Sequence, residues 1–224
     1  MTISPDDERR ASSATVAPLV PFAPAARQAL ARASIITPGD WIELDLDPKT
    51  RHTSISRAVR QAVARSRSLA PDAVRLIGLL DRTSRKAAEA GAFYCASRVV
   101  EDATGGVLVA TVLMQGLKAT TPLPAVRPES ASPQVGEQCA SLAQVMSNDP
   151  AWAGANIRVV ALAFIGPAVR VQIEKRGVVV QYVVPLVDGT VDVVLTFSCP
   201  CPPYARVMTE LFDAMAQSLD LHFE

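Results

Sequence analysis

The chain has 224 residues, of which 49% are hydrophobic and 20% charged, a balance that supports a globular core and argues against global disorder. Its length has room for one large domain or two small ones. The 22 basic and 22 acidic residues cancel, which argues against nucleic acid or an acidic membrane as a partner of the whole protein.

The N-terminal sequence MTISPDDERR is charged and has no apolar run behind it, so no signal peptide is expected. The longest apolar runs, such as 159–165 and 193–197, are far shorter than the ~18 residues that a transmembrane helix requires. Four cysteines do not form a disulfide framework in a chain of this size. We therefore expect a cytoplasmic protein with no membrane insertion and with reduced cysteines.

The first part of the chain divides into a tail and the start of a domain. Residues 1–22 show no clear hydrophobic period and are predicted to be disordered, which leaves 23–224 as a single domain. A short helix is predicted for 24–33. In the following WIELDLDP (41–48), apolar and acidic residues alternate, which predicts a half-buried strand with an acidic outer face.

Two amphipathic helices are predicted next. The first is expected to have Thr53 or Ser54 as its N-cap, and the second to begin at Pro71 and stop at Gly91. A β-hairpin follows, with strands near 93–101 and 107–117 joined by a glycine-rich turn.

The last third of the chain predicts a strand meander and a closing helix. A proline-rich loop (118–133) and a short helix (136–146) lead into it. Four β-rich runs are separated by connections short enough only for antiparallel neighbours: 157–164, 168–175, 178–187 and 190–198. With the closing helix at 203–219, the chain reads as an α+β fold, in which an antiparallel sheet of about six or seven strands has helices packed on it.

The closing helix is predicted to cover one buried face of this sheet. Its apolar stripe consists of Val207, Met208, Leu211, Phe212, Met215 and Leu219. Asp213 and Gln217 are predicted to face water. Arg170 alternates with valines in its strand and is assigned to the polar, outer face.

Two cysteines stand in the proline-rich stretch SCPCPPY (198–204). Cys199 and Cys201 could present thiolates to a soft metal or act in redox chemistry. Proline after each cysteine favours extended backbone, and zinc would need two further ligands. We interpret the stretch as the corner where a strand ends and a helix begins, and predict neither metal nor cofactor.

Two charged features precede it in the chain. Glu43, Asp45 and Asp47 alternate in the early strand and could hold a hard cation, although an exposed acidic stripe explains them equally well. The segment 51–67 has five arginines and no acid. We interpret the segment as a solvated helix face. The alternative is a contact with an acidic protein partner, for which the candidate residues are Arg57, Arg60, Arg65 and Arg67. Aromatic or motif support for nucleic acid is missing.

Catalytic motifs are not found in the sequence. It has no nucleophile elbow, phosphate-binding glycine loop, dinucleotide fingerprint or zinc-protease helix. No catalytic residue is therefore predicted, and we favour a protein that is not an enzyme.

The order of elements resembles the PsbP-like fold family, which includes LpqN-type lipoproteins and Eag-type secretion chaperones. The resemblance covers about residues 40–221 and rests on Trp41 in an early strand, LTFS (195–198) ending a late strand, and the helical LFDAMAQSL (211–219). It implies a binding or assembly role and transfers no catalytic residue. The Ala/Arg/Val-rich composition also resembles that of uncharacterised actinobacterial proteins.

The sequence thus predicts a non-enzymatic interaction or chaperone-like accessory protein, linked to a secretion or surface-assembly system. We expect a protein partner and no nucleic-acid partner. Homo-oligomerisation is compatible with this prediction. Two alternatives stay open. One is a small-molecule-binding module that uses an outer sheet face with Val179, Val183 and Val194. The other is a metal or thiol-redox protein that uses Cys199 and Cys201.

Overall fold

The computed structural model describes residues 30–101, 107–118, 131–185 and 191–223. The predicted disorder of 1–22 and the glycine-rich turn after 101 lie outside these ranges. Within them the chain forms four α-helices and nine strands, which confirms the predicted α+β class. No helix in the described ranges has the length and apolarity needed to cross a lipid bilayer.

The elements follow one another in a simple order. The strands are β1 (Leu30–Ser34), β2 (Trp41–Glu43), β3 (Ala92–Glu101), β4 (Val107–Lys118), β5 (Asn156–Leu162), β6 (Gly166–Glu174), β7 (Val178–Pro185), β8 (Val191–Cys199) and β9 (Asp220–Phe223). The α-helices are α1 (Arg51–Arg65), α2 (Ala73–Glu89), α3 (Ala131–Asn148) and α4 (Ala205–Gln217). Three-residue or longer 3₁₀ turns occupy Arg67–Asp72, Pro150–Trp152 and Pro202–Tyr204.

Seven strands form one antiparallel sheet in the order β2-β3-β4-β8-β7-β6-β5, as the sequence predicts. The meander β5 to β8 pairs through short turns, and β4 joins it by pairing with β8. β1 and β9, from the two ends of the described chain, pair as a separate two-stranded sheet.

Both faces of the large sheet are covered. On the front face, α1 and α2 pack over β2, β3 and β4, and α3 packs over β5, β6 and β7. On the back face, α4 and the β1–β9 pair close the largest apolar core. Phe212 of α4 stacks there on Phe197 of β8, with ring centroids 4.9 Å apart.

The predicted helix at 24–33 is wrong where the structure describes it, because Leu30–Ser34 is a strand. The last strand pairs with it across almost the whole chain. This pairing overrides the helix propensity of the Ala/Arg-rich segment, since propensity is a weak preference beside tertiary contacts. The cap prediction is also wrong: α1 begins at Arg51, so Thr53 and Ser54 lie inside its first turn.

Two predictions about the back face need correction. Val207 is exposed and does not face the sheet, although Met208, Phe212 and Met215 of the same helix are buried as predicted. Arg170 is only 2% exposed, although its alternation with valines predicts a polar, outer face. The reason is that α4 packs on the neighbouring strands β7 and β8, and its Asp213 binds the Arg170 guanidinium on this face.

Candidate functional site

The SCPCPPY stretch forms a corner between β8 and α4. Cys199 is the buried last residue of β8, Cys201 is partly exposed, and the 3₁₀ turn Pro202–Tyr204 leads into the helix. The corner packs against the β6–β7 turn at Gly177. A Cβ atom on Gly177 would lie 2.2 Å from the carbonyl oxygen of Cys199 and 2.7 Å from the Cα of Pro200. The backbone of the corner is therefore in close contact with this turn.

All four cysteines are free thiols. Burial raises the pKa of Cys95 to about 12 and that of Cys139 to about 11, and it also raises the pKa of Cys199. A thiol with a raised pKa is a poor nucleophile and a poor metal ligand at neutral pH. Among the described residues, no group of three His, Cys, Asp or Glu side chains converges to hold a metal ion.

Asp45 and Asp47 of the predicted acidic stripe accept hydrogen bonds within the loop that leads into α1. One carboxylate oxygen of Asp45 accepts a 2.6 Å hydrogen bond from the Thr50 hydroxyl, and the other accepts one of 2.9 Å from the Asp47 amide. The Thr50 hydrogen bond and the amide together lower the pKa of Asp45. Asp47 in turn accepts a hydrogen bond from the Lys49 amide. These carboxylates are engaged in turn formation, and only Glu43 lies on the strand itself.

The α1–α2 pair, with the 3₁₀ turn between the two helices, carries eight exposed cations. We call this region the basic helical surface, and its members are the exposed side chains of Arg57, Arg60, Arg65, Arg67, Arg75, Arg82, Arg85 and Lys86. None of the eight forms an ion pair with a described residue. The whole segment 51–89 contains nine cations, these eight and the buried Arg51, and three carboxylates, Asp72, Asp81 and Glu89, so six positive charges are in excess.

The four arginines predicted as a partner contact are all part of this surface. The structure adds the four cations of α2, which the sequence reading missed. Their signal was present in the spacing of Arg75, Arg82 and Lys86, which recur at seven and four residues and so share one side of a helix.

One large apolar side chain lies within the basic helical surface. Val74 in the first turn of α2 is 84% exposed and directly precedes Arg75. The 3₁₀ turn with Arg67 ends just before it. An exposed apolar side chain therefore adjoins the cation of Arg75 at the start of α2.

A buried polar strip runs across the centre of the front face. Gln181 of β7 donates a 3.1 Å hydrogen bond from its amide nitrogen to the Thr196 hydroxyl of β8. Gln115 of β4 is completely buried, and within the described residues neither its amide oxygen nor its amide nitrogen has a hydrogen-bond partner. Buried polar groups without partners are rare and call for a physical explanation.

The three valines proposed as an apolar cleft share this front face. Cross-strand pairing aligns Val183 with Val194, and Val179 lies on the same side of β7. Val194 is buried, however, so the face is not open at this point.

A buried ionic cluster holds α4 on the back face. Asp213 accepts two hydrogen bonds from the Arg170 guanidinium, of 2.8 and 3.1 Å, and another from the Tyr182 hydroxyl. Burial and the neighbouring carboxylate raise the pKa of Tyr182, so its hydroxyl is a donor at neutral pH. The helical pattern predicts that Asp213 faces water, and it cannot reveal this contact because the partner lies 43 residues away in the chain.

Comparison of the sequence with protein-family models gives no match, and neither does comparison with curated proteins. The geometry of the described residues is therefore the basis for a functional proposal. The structure collects the predicted arginines and four further cations on one surface, whereas it places Cys199 in a core.

Proposed function

We propose that the protein is a non-enzymatic interaction protein whose basic helical surface binds an acidic segment of a partner protein. The observation that carries this proposal is the set of eight exposed cations that form no ion pair with a described residue, in a chain whose total formal charge is zero. Charges segregated in this way steer and orient a partner of opposite sign.

An acidic protein suits this surface better than nucleic acid does. Val74 is an exposed apolar side chain next to Arg75, and a phosphate backbone offers no apolar group to contact it. The segment 51–89 that carries this surface contains no Phe, Tyr or Trp on which a base could stack. The preferred ligand is therefore a segment of Asp and Glu residues that contains an apolar residue.

A chaperone-like accessory role is the biological setting that we favour. The resemblance to the PsbP-like fold family motivates it, since that family has binding and assembly roles. A secretion or surface-assembly system is the corresponding process, and a cytoplasmic location would fit it.

The proposal is tested with a fluorescein-labelled twelve-residue peptide of Glu and Asp residues around a central leucine. Fluorescence anisotropy measures its Kd for the native protein and for the variant Arg57→Glu/Arg60→Glu/Arg82→Glu. Three surface ion pairs at roughly 0.5 kcal/mol each amount to about tenfold in affinity, so we expect a loss of at least that size. Salt should weaken binding to the native protein, because exposed charges are screened.

The matched control is Arg32→Glu/Lys175→Glu/Arg206→Glu, which changes the net charge equally through exposed cations outside the basic helical surface. Its affinity should stay close to that of the native protein. Equal losses in both variants would show a non-specific charge effect and contradict the proposal. Equally tight binding of a single-stranded DNA of the same charge would contradict the choice of an acidic protein.

A small-molecule-binding role is the second candidate, and the unpartnered amide of Gln115 favours it. A ligand with both a hydrogen-bond donor and an acceptor would satisfy this amide, beside the Gln181–Thr196 pair. Native mass spectrometry of the purified protein should then show a retained mass that the Gln115→Leu variant lacks. Identical spectra at the mass of the bare chain would reject this candidate.

A further inference from the structure

The two edges of the seven-stranded sheet differ in length and chemistry. β2 forms one edge with three residues, whereas β5 forms the other with seven, of sequence NIRVVAL. An exposed edge strand presents a row of backbone donors and acceptors that can pair with another chain. Because β2 has only three residues, it offers few backbone groups for such pairing. β5 is more than twice as long and offers more of them.

The register shows which backbone groups of β5 point away from the sheet. Ala161 lies opposite Pro167 of β6. Because proline has no N–H, these two residues cannot form a hydrogen-bonded pair, in which each residue donates one hydrogen bond to the other. The Ala161 carbonyl instead accepts a 3.1 Å hydrogen bond from the Gln217 side chain of α4. Because backbone direction alternates along a strand, Val159 and Ile157 also point their N–H and C=O groups outward. Within the described residues these groups have no partner.

The side chains along this edge are apolar except at Asn156 and Arg158. Val159 is 43% exposed, and Phe164 in the adjoining turn is 71% exposed. Arg158 lies on the opposite side of the strand from Val159, is exposed, and forms no ion pair with a described residue. β5 contains no acidic residue.

We propose that β5 is a strand-addition site, where an extended segment of a partner protein pairs with Ile157 and Val159. The segment places an apolar residue beside Val159 and an acidic residue opposite Arg158. Main-chain hydrogen bonds supply the affinity in this mode of recognition, and alternate side chains supply the specificity. A second copy of the chain is less suitable, because its own Arg158 would approach the first without an acid to offset it.

This site is separate from the basic helical surface, and either one can fail without the other. The probe is a nine-residue peptide of alternating valine and threonine with a central glutamate, and its companion has a central lysine. Amide chemical shifts of isotope-labelled protein report where each peptide binds. We expect shifts at Ile157 and Val159, and an affinity about fivefold higher for the glutamate peptide, from one attractive against one repulsive surface pair.

Three variants make the result specific. Val159→Pro removes an outward N–H and should abolish the shifts, whereas Val159→Thr keeps the backbone groups and should retain them. Arg158→Glu should make the lysine peptide bind more tightly than the glutamate peptide. Misfolding of the variant would weaken both peptides and would not reverse their relative affinities. The proposal is overturned if neither peptide moves the Ile157 and Val159 signals at millimolar concentration. It is also overturned if the glutamate peptide still binds Arg158→Glu more tightly than the lysine peptide does. A free protein that is a dimer, with the Ile157 and Val159 amides protected from hydrogen exchange, would overturn it as well.

Discussion

At the scale of single residues, the contact of Gly177 with Cys199 and Pro200 shows that the SCPCPPY stretch is packed tightly against the neighbouring turn. The prolines end β8 and prepare the first turn before α4. The Cys199–Pro200 backbone lies so close to Gly177 that a side chain at position 177 would clash with it. Gly177 also has a positive φ of 137°, a conformation that favours glycine. The stretch is thus a packed corner of the fold.

Gly177→Ala should lower the free energy of unfolding by about 3 kcal/mol. The added methyl group must displace the Cys199–Pro200 backbone, and the backbone conformation is itself strained for alanine. Urea denaturation measures the effect. Gly39→Ala is the control, because a Cβ there meets no atom within 4 Å, and it should change stability by less than about 0.5 kcal/mol. Similar midpoints for both variants would show that the corner is not tightly packed.

At the scale of secondary-structure elements, the position of α4 depends on a polar contact as well as on its apolar stripe. Met208, Phe212 and Met215 bury against the sheet, and Asp213 on the same helix neutralises the buried Arg170. One side of the carboxylate remains accessible to solvent, since the Asp213 side chain is 36% exposed.

Asp213→Asn should destabilise the protein by about 2 kcal/mol, because it leaves the Arg170 guanidinium buried without a counter-charge. The value is below the roughly 3–5 kcal/mol of a fully buried pair, since water still reaches this carboxylate. Thermal or urea unfolding checks the prediction. Glu210→Gln, an exposed change on the same helix, should have almost no effect. An Asp213→Asn variant as stable as the native protein would contradict the role of the cluster.

The elements that sequence reasoning found are those with local signals. The β5–β8 meander has alternating valines and short turns, and the stripe of Ile55 and Val59 marks α1. β1 was missed because its partner β9 lies at the other end of the chain. Arg170 was misplaced because alternation predicts which residues share a face, and the covering of that face is a tertiary property.

For the candidate sites the same distinction holds. Arg57 and Arg60 were recognised because five arginines without an acid stand out in the linear sequence. The cations of α2 join them only when the two helices pack together. The outward backbone groups of β5 depend on strand order, which the sequence of β5 does not contain.

At the scale of the whole molecule, equal numbers of acids and bases conceal an uneven distribution of charge. The basic helical surface covers the front of one half of the sheet, and β5 closes the edge of the other half. Overall neutrality argues against long-range attraction of the whole protein to polyanions, while the local excess favours a short acidic segment. The two surfaces are therefore suited to contacts with protein segments of different kinds.

The central claim is that an acidic segment binds on the outer side of α1 and α2. Its most direct test is an amide chemical-shift titration of isotope-labelled protein with the acidic leucine-containing peptide. The account predicts that the largest shifts lie around Arg57, Arg60, Val74 and Arg82, and that they vanish in the Arg57→Glu/Arg60→Glu/Arg82→Glu variant. Shifts located elsewhere on the protein, or unchanged shifts in that variant, would contradict it.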